Sequence, residues 1–136
     1  MGQQQLLLIV LGVIVVGVAI AVGVTQFRSS AVDSNRQAVI SDLVNYSSKA
    51  QRYYRTPSQL GGGSQSFDSF YLSPLDTGNA NGSFSVTTTA PTGASYVAGD
   101  TARISSSSGT IYILGCGKED GDDGSNRVKA YTTVTQ

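Results

Sequence analysis

The first 27 residues of the chain carry no charged side chain, and residues 6–24 contain nothing more polar than glycine. As an α-helix, this run would extend roughly 28 Å at about 1.5 Å per residue, which is close to the hydrocarbon thickness of a bilayer. A cleaved secretory signal, the alternative interpretation, would show a basic start, a shorter apolar core and a small-residue cleavage site. None of these is evident, so the pattern predicts a retained membrane-spanning helix over residues 1–27.

The pattern then becomes amphipathic without a break. Apolar residues recur at helical spacing, at Val32, Val39, Ile40, Leu43, Tyr46, Ala50, Tyr53 and Tyr54. No Pro or Gly interrupts residues 24–56, and Pro57 is expected to stop the helix. Residues 28–56 are therefore predicted to continue the first helix, which would make one rod of roughly 75–80 Å at about 1.5 Å per residue.

Residues 57–82 are predicted to be a Gly-rich connector. Gly61-Gly62-Gly63 lacks the GK[ST] ending of a phosphate-binding loop, so a flexible exit from the helix is the better interpretation. Turn signals follow at Ser73-Pro74, Thr77-Gly78-Asn79 and Asn81-Gly82.

From residue 83 onward the period changes to two, as expected for a β-sheet head over residues 83–136. Strands are predicted over residues 83–89, 101–106, 110–116 and 127–135, which would form an antiparallel sheet of three or four strands. One face would pack on the second half of the helix through Phe84, Val86, Ile104, Ile111, Ile113, Val128 and Ala130. The other face would be rich in Ser and Thr and solvated. The predicted fold class is α+β.

Composition excludes several functional classes. Nine basic side chains balance nine acidic ones, which disfavours nucleic acid as a partner. The chain has no His and one Cys, so it lacks an imidazole base, a zinc site of Cys and His, and an intrachain disulfide. No nucleophile has an evident base beside it, so an enzyme is not expected.

One acidic loop, residues 119–124, lies between the last two predicted strands. Closely spaced carboxylates broken by Gly can bind calcium, which makes Asp120, Asp122 and Asp123 candidate ligands. The alternative is a plain Asp-Gly hairpin turn that its charges keep solvated.

The order of these elements resembles a type IV pilin or a related pseudopilin of type II secretion. The residues that carry this resemblance are GQQQLLLIVLGVIVVGVAIAVG at the N-terminus and the amphipathic stripe through Tyr53-Tyr54. The family's usual Glu at the fifth mature position is missing: that position is Gln5 if Met1 is the mature start, or Leu7 if processing follows Gly2. The Pro often found near the end of the apolar run is missing too.

The resemblance implies a structural subunit, a major pilin that polymerises into a type IV pilus-like extracellular filament. Its expected partners are copies of itself, membrane lipid before assembly, and inner-membrane assembly machinery with an ATPase. It would lie in the cytoplasmic membrane before assembly and on the cell surface afterwards. The positive-inside rule would instead hold Arg28 and Arg36 in the cytoplasm, and a basic leader, removed earlier, would reconcile the two. Gly17 with Ala21 has the small-xxx-small spacing that lets helices approach closely, and the N-terminal amides could form neutral hydrogen bonds. The candidate assembly residues are Gln3, Gln4, Gln5, Leu8, Leu11, Gly12, Val15, Gly17, Ile20, Ala21 and Gly23.

Two alternatives remain open at this point. A pseudopilin would share the architecture, and a calcium-bearing acidic loop would favour it. A membrane-anchored extracytoplasmic binding module would use the helix as a stalk and the sheet to face a ligand.

Overall fold

The computed structural model describes residues 2–92, 103–105, 109–120 and 127–136. In chain order, the elements are α1 (Gly2–Arg55), a 3₁₀ helix (Ser58–Leu60), β1 (Gly82–Thr87), β2 (Thr110–Asp120) and β3 (Arg127–Thr135). The chain divides into two compact units, Met1–Ala31 and Val32–Gln136, the second of which is called the C-terminal unit below. The predicted α+β class is confirmed.

Helix α1 joins the two predicted helical segments and ends two residues before Pro57, as expected. Its buried residues fall on the predicted stripe and are Val32, Val39, Leu43, Tyr46 and Ala50, with Tyr53 and Tyr54 partly buried. Ile40 does not join them, because 46% of it is exposed. Each residue turns the helix by about 100°, so a position next to the buried Val39 already lies at the edge of the packed face.

The glycines after α1 form a packed cap in place of the expected flexible exit. The N–H groups of Gly63 and Gln65 donate to the carbonyls of Tyr53 and Tyr54, both at 2.8 Å. A Cβ at Gly63 would run into the Ser66 carbonyl and the Tyr53 ring. The last carbonyls of a helix have no partners inside it, so this returning segment supplies the hydrogen bonds that they require.

The described sheet has the order β1-β2-β3, and both pairs are antiparallel. Three of the four predicted strands are thus present. The fourth, predicted over residues 101–106, is described only at residues 103–105, which lie outside any strand. Strand β2 is central and already pairs on both edges, so it has no edge left for a further strand. Ile104 instead exchanges backbone hydrogen bonds with the loop, to Phe70 at 3.0 Å and from Ser69 at 2.8 Å.

The face of the sheet that packs on α1 agrees with the prediction. Phe84, Ile104, Ile111, Ile113 and Val128 are buried, and Val86 and Ala130 pack partly buried against the same core. At Gly115 a Cβ would lie 2.7 Å from a Val39 methyl group, so the missing side chain lets the helix approach the sheet closely.

The opposite face is less polar than predicted. Side chains alternate along a strand, so Leu114 points away from Ile111 and Ile113, yet only 4% of it is exposed. Ser85 on β1 is equally buried, at 3%. The rings of Tyr112 and Tyr131 lie 6.4 Å apart on this side. The face therefore combines hydroxyl groups with aromatic and aliphatic surface.

Each of three tyrosines on α1 packs against one phenylalanine from later in the chain. The ring centroids are 4.9 Å apart for Tyr46–Phe84, 5.3 Å for Tyr53–Phe70 and 5.0 Å for Tyr54–Phe67. Phe67 and Phe70 belong to the segment that the sequence predicts as an irregular loop, and both are buried together with Leu72. The connector is thus part of the core.

Phe67→Ala is expected to lower the free energy of unfolding by about 3–5 kcal/mol, because it removes a fully buried ring and leaves a cavity. Urea unfolding of the full chain in detergent micelles, followed by tyrosine fluorescence, measures the change. The matched control is Phe27→Ala, since Phe27 is 78% exposed and should change the value by less than about 0.5 kcal/mol. Equal effects of the two substitutions would contradict a core role for the connector.

Candidate functional site

The apolar segment, residues 6–24 of α1, exposes nearly all of its hydrophobic surface. Every Leu, Ile and Val in it is between 56% and 69% exposed. Among the described residues, α1 is the one helix long and apolar enough to cross a membrane, and none of its most apolar window is buried within the chain. A helix that is hydrophobic on every side requires an apolar environment from outside its own fold.

The predicted assembly residues all lie in α1 but not on one side of it. At about 100° per residue, Leu8, Leu11, Gly12 and Val15 share one side of the helix, whereas Gly17 and Ala21 lie on the opposite side. Gln3, Gln4 and Gln5 occupy successive positions in the first turns and are exposed. Ile20 is 62% exposed and Gly23 is partly exposed. The set therefore offers contacts on two sides of the helix.

Within the part of the chain that the structure describes, no neighbour packs against the glycines of this segment. A Cβ built at Gly12, Gly17 or Gly23 would meet nothing within 4 Å. At Gly82 or Gly115, in contrast, a Cβ would collide with a neighbouring strand or with α1. Glycine costs a helix about 1 kcal/mol relative to alanine in water, and the structure offers no internal compensation at the first three positions.

Phe27 marks the end of the uncharged part of α1. It is the one phenylalanine of the four that does not pack on a tyrosine of the helix, and Arg28 follows it directly. Aromatic and basic residues are common where a membrane helix leaves the hydrocarbon. The composition at this point is that of a membrane-interface boundary.

In the C-terminal unit, four polar side chains hold the loop before β1 against α1. This amide cluster consists of Asn35, Asp42, Asn79 and Asn81. The side-chain amides of Asn79 and Asn81 both donate to Asp42 Oδ2, at 2.8 and 2.9 Å. Asn35 Nδ2 donates to the Asn81 carbonyl at 2.9 Å, and its Oδ1 accepts the N–H of Glu119 at 3.4 Å. The cluster thus ties α1 to β2 as well as to the loop.

A second polar contact joins the helix to the same loop. Lys49 Nζ lies 2.7 Å from Asp76 Oδ2 and 5.5 Å from the centroid of the Tyr46 ring. Burial raises the pKa of Tyr46 above its ordinary value of 10.0, and the carboxylates of Asp76 and Asp42 raise it further. Both effects favour the neutral phenol, which matches its place between the core and the two acidic groups.

Asn79 and Asn81 carry turn signals in the sequence, but no pattern there predicts their contact with Asn35 or Asp42. The turn signal was available, since Asn-x-Asn-Gly directly precedes a predicted strand. The sequence gives no sign that Asp42 is their partner, because Asp42 is separated from Asn79 by 37 residues and from Asn81 by 39.

The calcium prediction falls largely outside the described residues, because Asp122 and Asp123 are not among them. Asp120 ends β2, where its backbone pairs with Arg127. Within the described part of the chain, no three acidic or Cys side chains gather around a common point. The proposed ligand set stays a prediction.

The surface pockets that described residues of the C-terminal unit line include two of moderate size. One, of about 240 Å³, is lined by Gln51, Tyr54, Arg55, Phe67, Thr135 and Gln136. The other, of about 270 Å³, is lined by Tyr53, Gly61, Phe70, Tyr71, Ser73 and Asp76. Both are smaller than the roughly 300–1,000 Å³ that small-molecule sites usually occupy, and Asp76 in the second is already paired with Lys49.

No protein-family model, curated protein or solved structure matches this chain.

Asp42→Ala is expected to lower the free energy of unfolding by about 1–3 kcal/mol, because two partly buried amide groups lose their common acceptor. Urea unfolding in detergent micelles measures it. Asp33→Ala is the matched control: its 3.9 Å pair with Arg36 is on the helix surface and contributes at most about 0.5 kcal/mol. If both variants unfold like the parent chain, the amide cluster does not hold the loop.

Tyr46 gives the C-terminal unit a defined response to alkaline pH. Because its folded-state pKa is raised, the folded state keeps the proton longer than the unfolded state does. The tyrosine's share of stability is therefore complete below pH 10 and is lost as pH rises through the folded-state pKa. Tyr46→Phe should therefore lose less stability than the parent chain over this pH range, as measured by urea unfolding at a series of pH values. An unchanged pH profile in Tyr46→Phe would contradict this role.

Proposed function

We propose that this chain is the repeating structural subunit of a type IV pilus-like extracellular filament, and that it is stored in the cytoplasmic membrane before assembly. The observation that carries the proposal is the apolar segment of α1: it is uncharged, exposed on every side, and contains glycines that no contact within the chain requires. A single membrane anchor accounts for the first two properties. The third favours close approach by other helices.

Close helix packing explains the glycines in physical terms. Small residues let helix backbones approach each other in an apolar medium, where dispersion contacts replace the hydrophobic effect as the source of association. Gly17 and Ala21 supply such a surface on one side of α1, and Gly12 supplies one beside Leu8, Leu11 and Val15. Two contact sides on one helix suit a bundle in which each helix touches several neighbours.

The change of environment is also small in free energy. A subunit that leaves the bilayer for the centre of a helical bundle exchanges one apolar surrounding for another, so packing can decide between the two states. When identical subunits use a contact that does not close into a ring, the product is a helical fibre. The energy for extraction would come from an external ATPase with its membrane platform.

The N-terminal contact in this proposal is neutral. Gln3, Gln4 and Gln5 offer amide donors and acceptors at the start of α1, and burying a hydrogen-bonded amide costs less than burying a carboxylate and its partner. These residues would dock neighbouring subunits by hydrogen bonds in place of an ion pair.

The test is electron microscopy of material sheared from cells that express the chain, with peptide mass spectrometry to identify the fibre protein. We expect long thin filaments that contain this chain. Gly17→Leu should abolish filaments while the protein remains in the membrane fraction at the parental level, because a Leu side chain keeps two helices apart.

The matched control is Val18→Leu, which changes the neighbouring position from one large apolar residue to another and should leave filaments intact. If Gly17→Leu assembles like the parent, close packing at Gly17 is wrong. If the chain occurs only in detergent-extracted membrane, the major-subunit proposal fails, and a secretion-system pseudopilin or an anchored binding module takes its place.

A further inference from the structure

The dipeptide Asn81-Gly82 stands at the start of β1, inside the amide cluster. Asn followed by Gly is chemically labile, because a glycine nitrogen without a neighbouring Cβ can reach the asparagine side chain most easily. The fold requires this glycine: a Cβ at position 82 would collide with the carbonyl of Cys116 on β2. The chain therefore has a labile Asn-Gly sequence in which the glycine, at position 82, cannot be replaced without a steric clash.

The reaction is an intramolecular cyclisation. The backbone nitrogen of Gly82 loses its proton and attacks Cγ of Asn81, and a C–N bond forms as Nδ2 leaves as ammonia. Water then opens the resulting succinimide at either carbonyl, which yields aspartate or isoaspartate at position 81. Water is the only co-reactant, and no electrons are transferred.

In the folded chain, hydrogen bonds hold both reacting groups away from the geometry that cyclisation requires. The Gly82 N–H donates to Asn79 Oδ1 at 3.0 Å, and the Asn81 side-chain amide donates to Asp42 Oδ2 at 2.9 Å. The Asn81 N–H donates to the same Asn79 oxygen at 2.9 Å, and the Asn81 carbonyl accepts from Asn35. Position 82 also pairs with Gly117 in the sheet. Cyclisation requires the Gly82 nitrogen and Cγ of the Asn81 side chain to rotate toward each other, and these hydrogen bonds oppose that rotation.

We propose that Asn81 is a deamidation site that the amide cluster protects, so that the side chain is modified only when the loop before β1 leaves α1. The product cannot restore the original contact. A carboxylate at position 81 replaces an amide donor with an acceptor and lies beside the carboxylate of Asp42, where like charges repel. Asn81 can therefore be deamidated irreversibly each time the loop opens, and a deamidated chain is one in which the loop has opened at least once.

The experiment incubates the full chain in detergent micelles at mildly alkaline pH, with and without denaturing urea, and follows position 81 by peptide mass spectrometry that separates aspartate from isoaspartate. We expect deamidation at least about tenfold faster in urea, because only the open state reacts. Asn45, which Tyr46 follows, is the internal reference and should change slowly in both conditions.

Asn79→Ala distinguishes this mechanism from general flexibility. It removes the acceptor of the Gly82 N–H, so the folded variant should deamidate at Asn81 several-fold faster than the folded parent. In urea, the variant and the parent should deamidate at the same rate. Asp33→Ala, outside the cluster, should leave both rates unchanged. Circular dichroism verifies that each variant is folded. The proposal is overturned if Asn81 deamidates at the same rate with and without urea, or if folded Asn79→Ala deamidates no faster than the folded parent. It is also overturned if, in urea, Asn81 deamidates no faster than Asn45.

Discussion

The environment of the apolar segment is the constraint on which the rest of the structure depends. Fully burying one large aliphatic side chain contributes roughly 1.5–3 kcal/mol, and this segment leaves a continuous series of them uncovered by its own chain. Lipid or other helices must supply the missing contacts. Beyond its uncharged part, the same helix is amphipathic, and its apolar stripe packs on the sheet. One helix thus has two kinds of surface, an apolar one that its own chain leaves exposed and an amphipathic one whose apolar stripe is buried.

The C-terminal unit is organised by the way the chain folds back along α1. Tyr54 packs on Phe67, Tyr53 on Phe70 and Tyr46 on Phe84, so partners later in the chain meet positions earlier in the helix. The glycine cap begins this return at the end of α1, and the amide cluster fixes it near the start of β1. The aromatic pairs join the returning chain to α1 at three positions along the helix, whereas hydrogen bonds to Asp42 hold the loop before β1 in place.

The sequence predicts those elements that local pattern determines. The extent of α1 follows from unbroken periodicity and from Pro57, and β1 and β3 follow from alternation of apolar and polar residues. Phe67 and Phe70 could not be assigned to the core, since isolated apolar residues in a polar loop have no period. Ile104 was correctly assigned to the core but wrongly to a strand. Both edges of β2 pair with strands distant in sequence, and the local pattern of residues 101–106 does not reveal that pairing. The contacts of Asp42 depend on the same distant pairing, so no local signal predicts them.

The lack of charged side chains in the first part of α1 has a further consequence for any contact made through it. Mobile ions screen interactions between charges, and protons act only on groups that titrate. Residues 6–24 have neither charged nor titratable side chains, so their packing energy contains no side-chain ion-pair term that salt could screen and no side-chain proton-binding term. An association formed there would therefore not be weakened by charge screening at high salt or by protonation in mild acid.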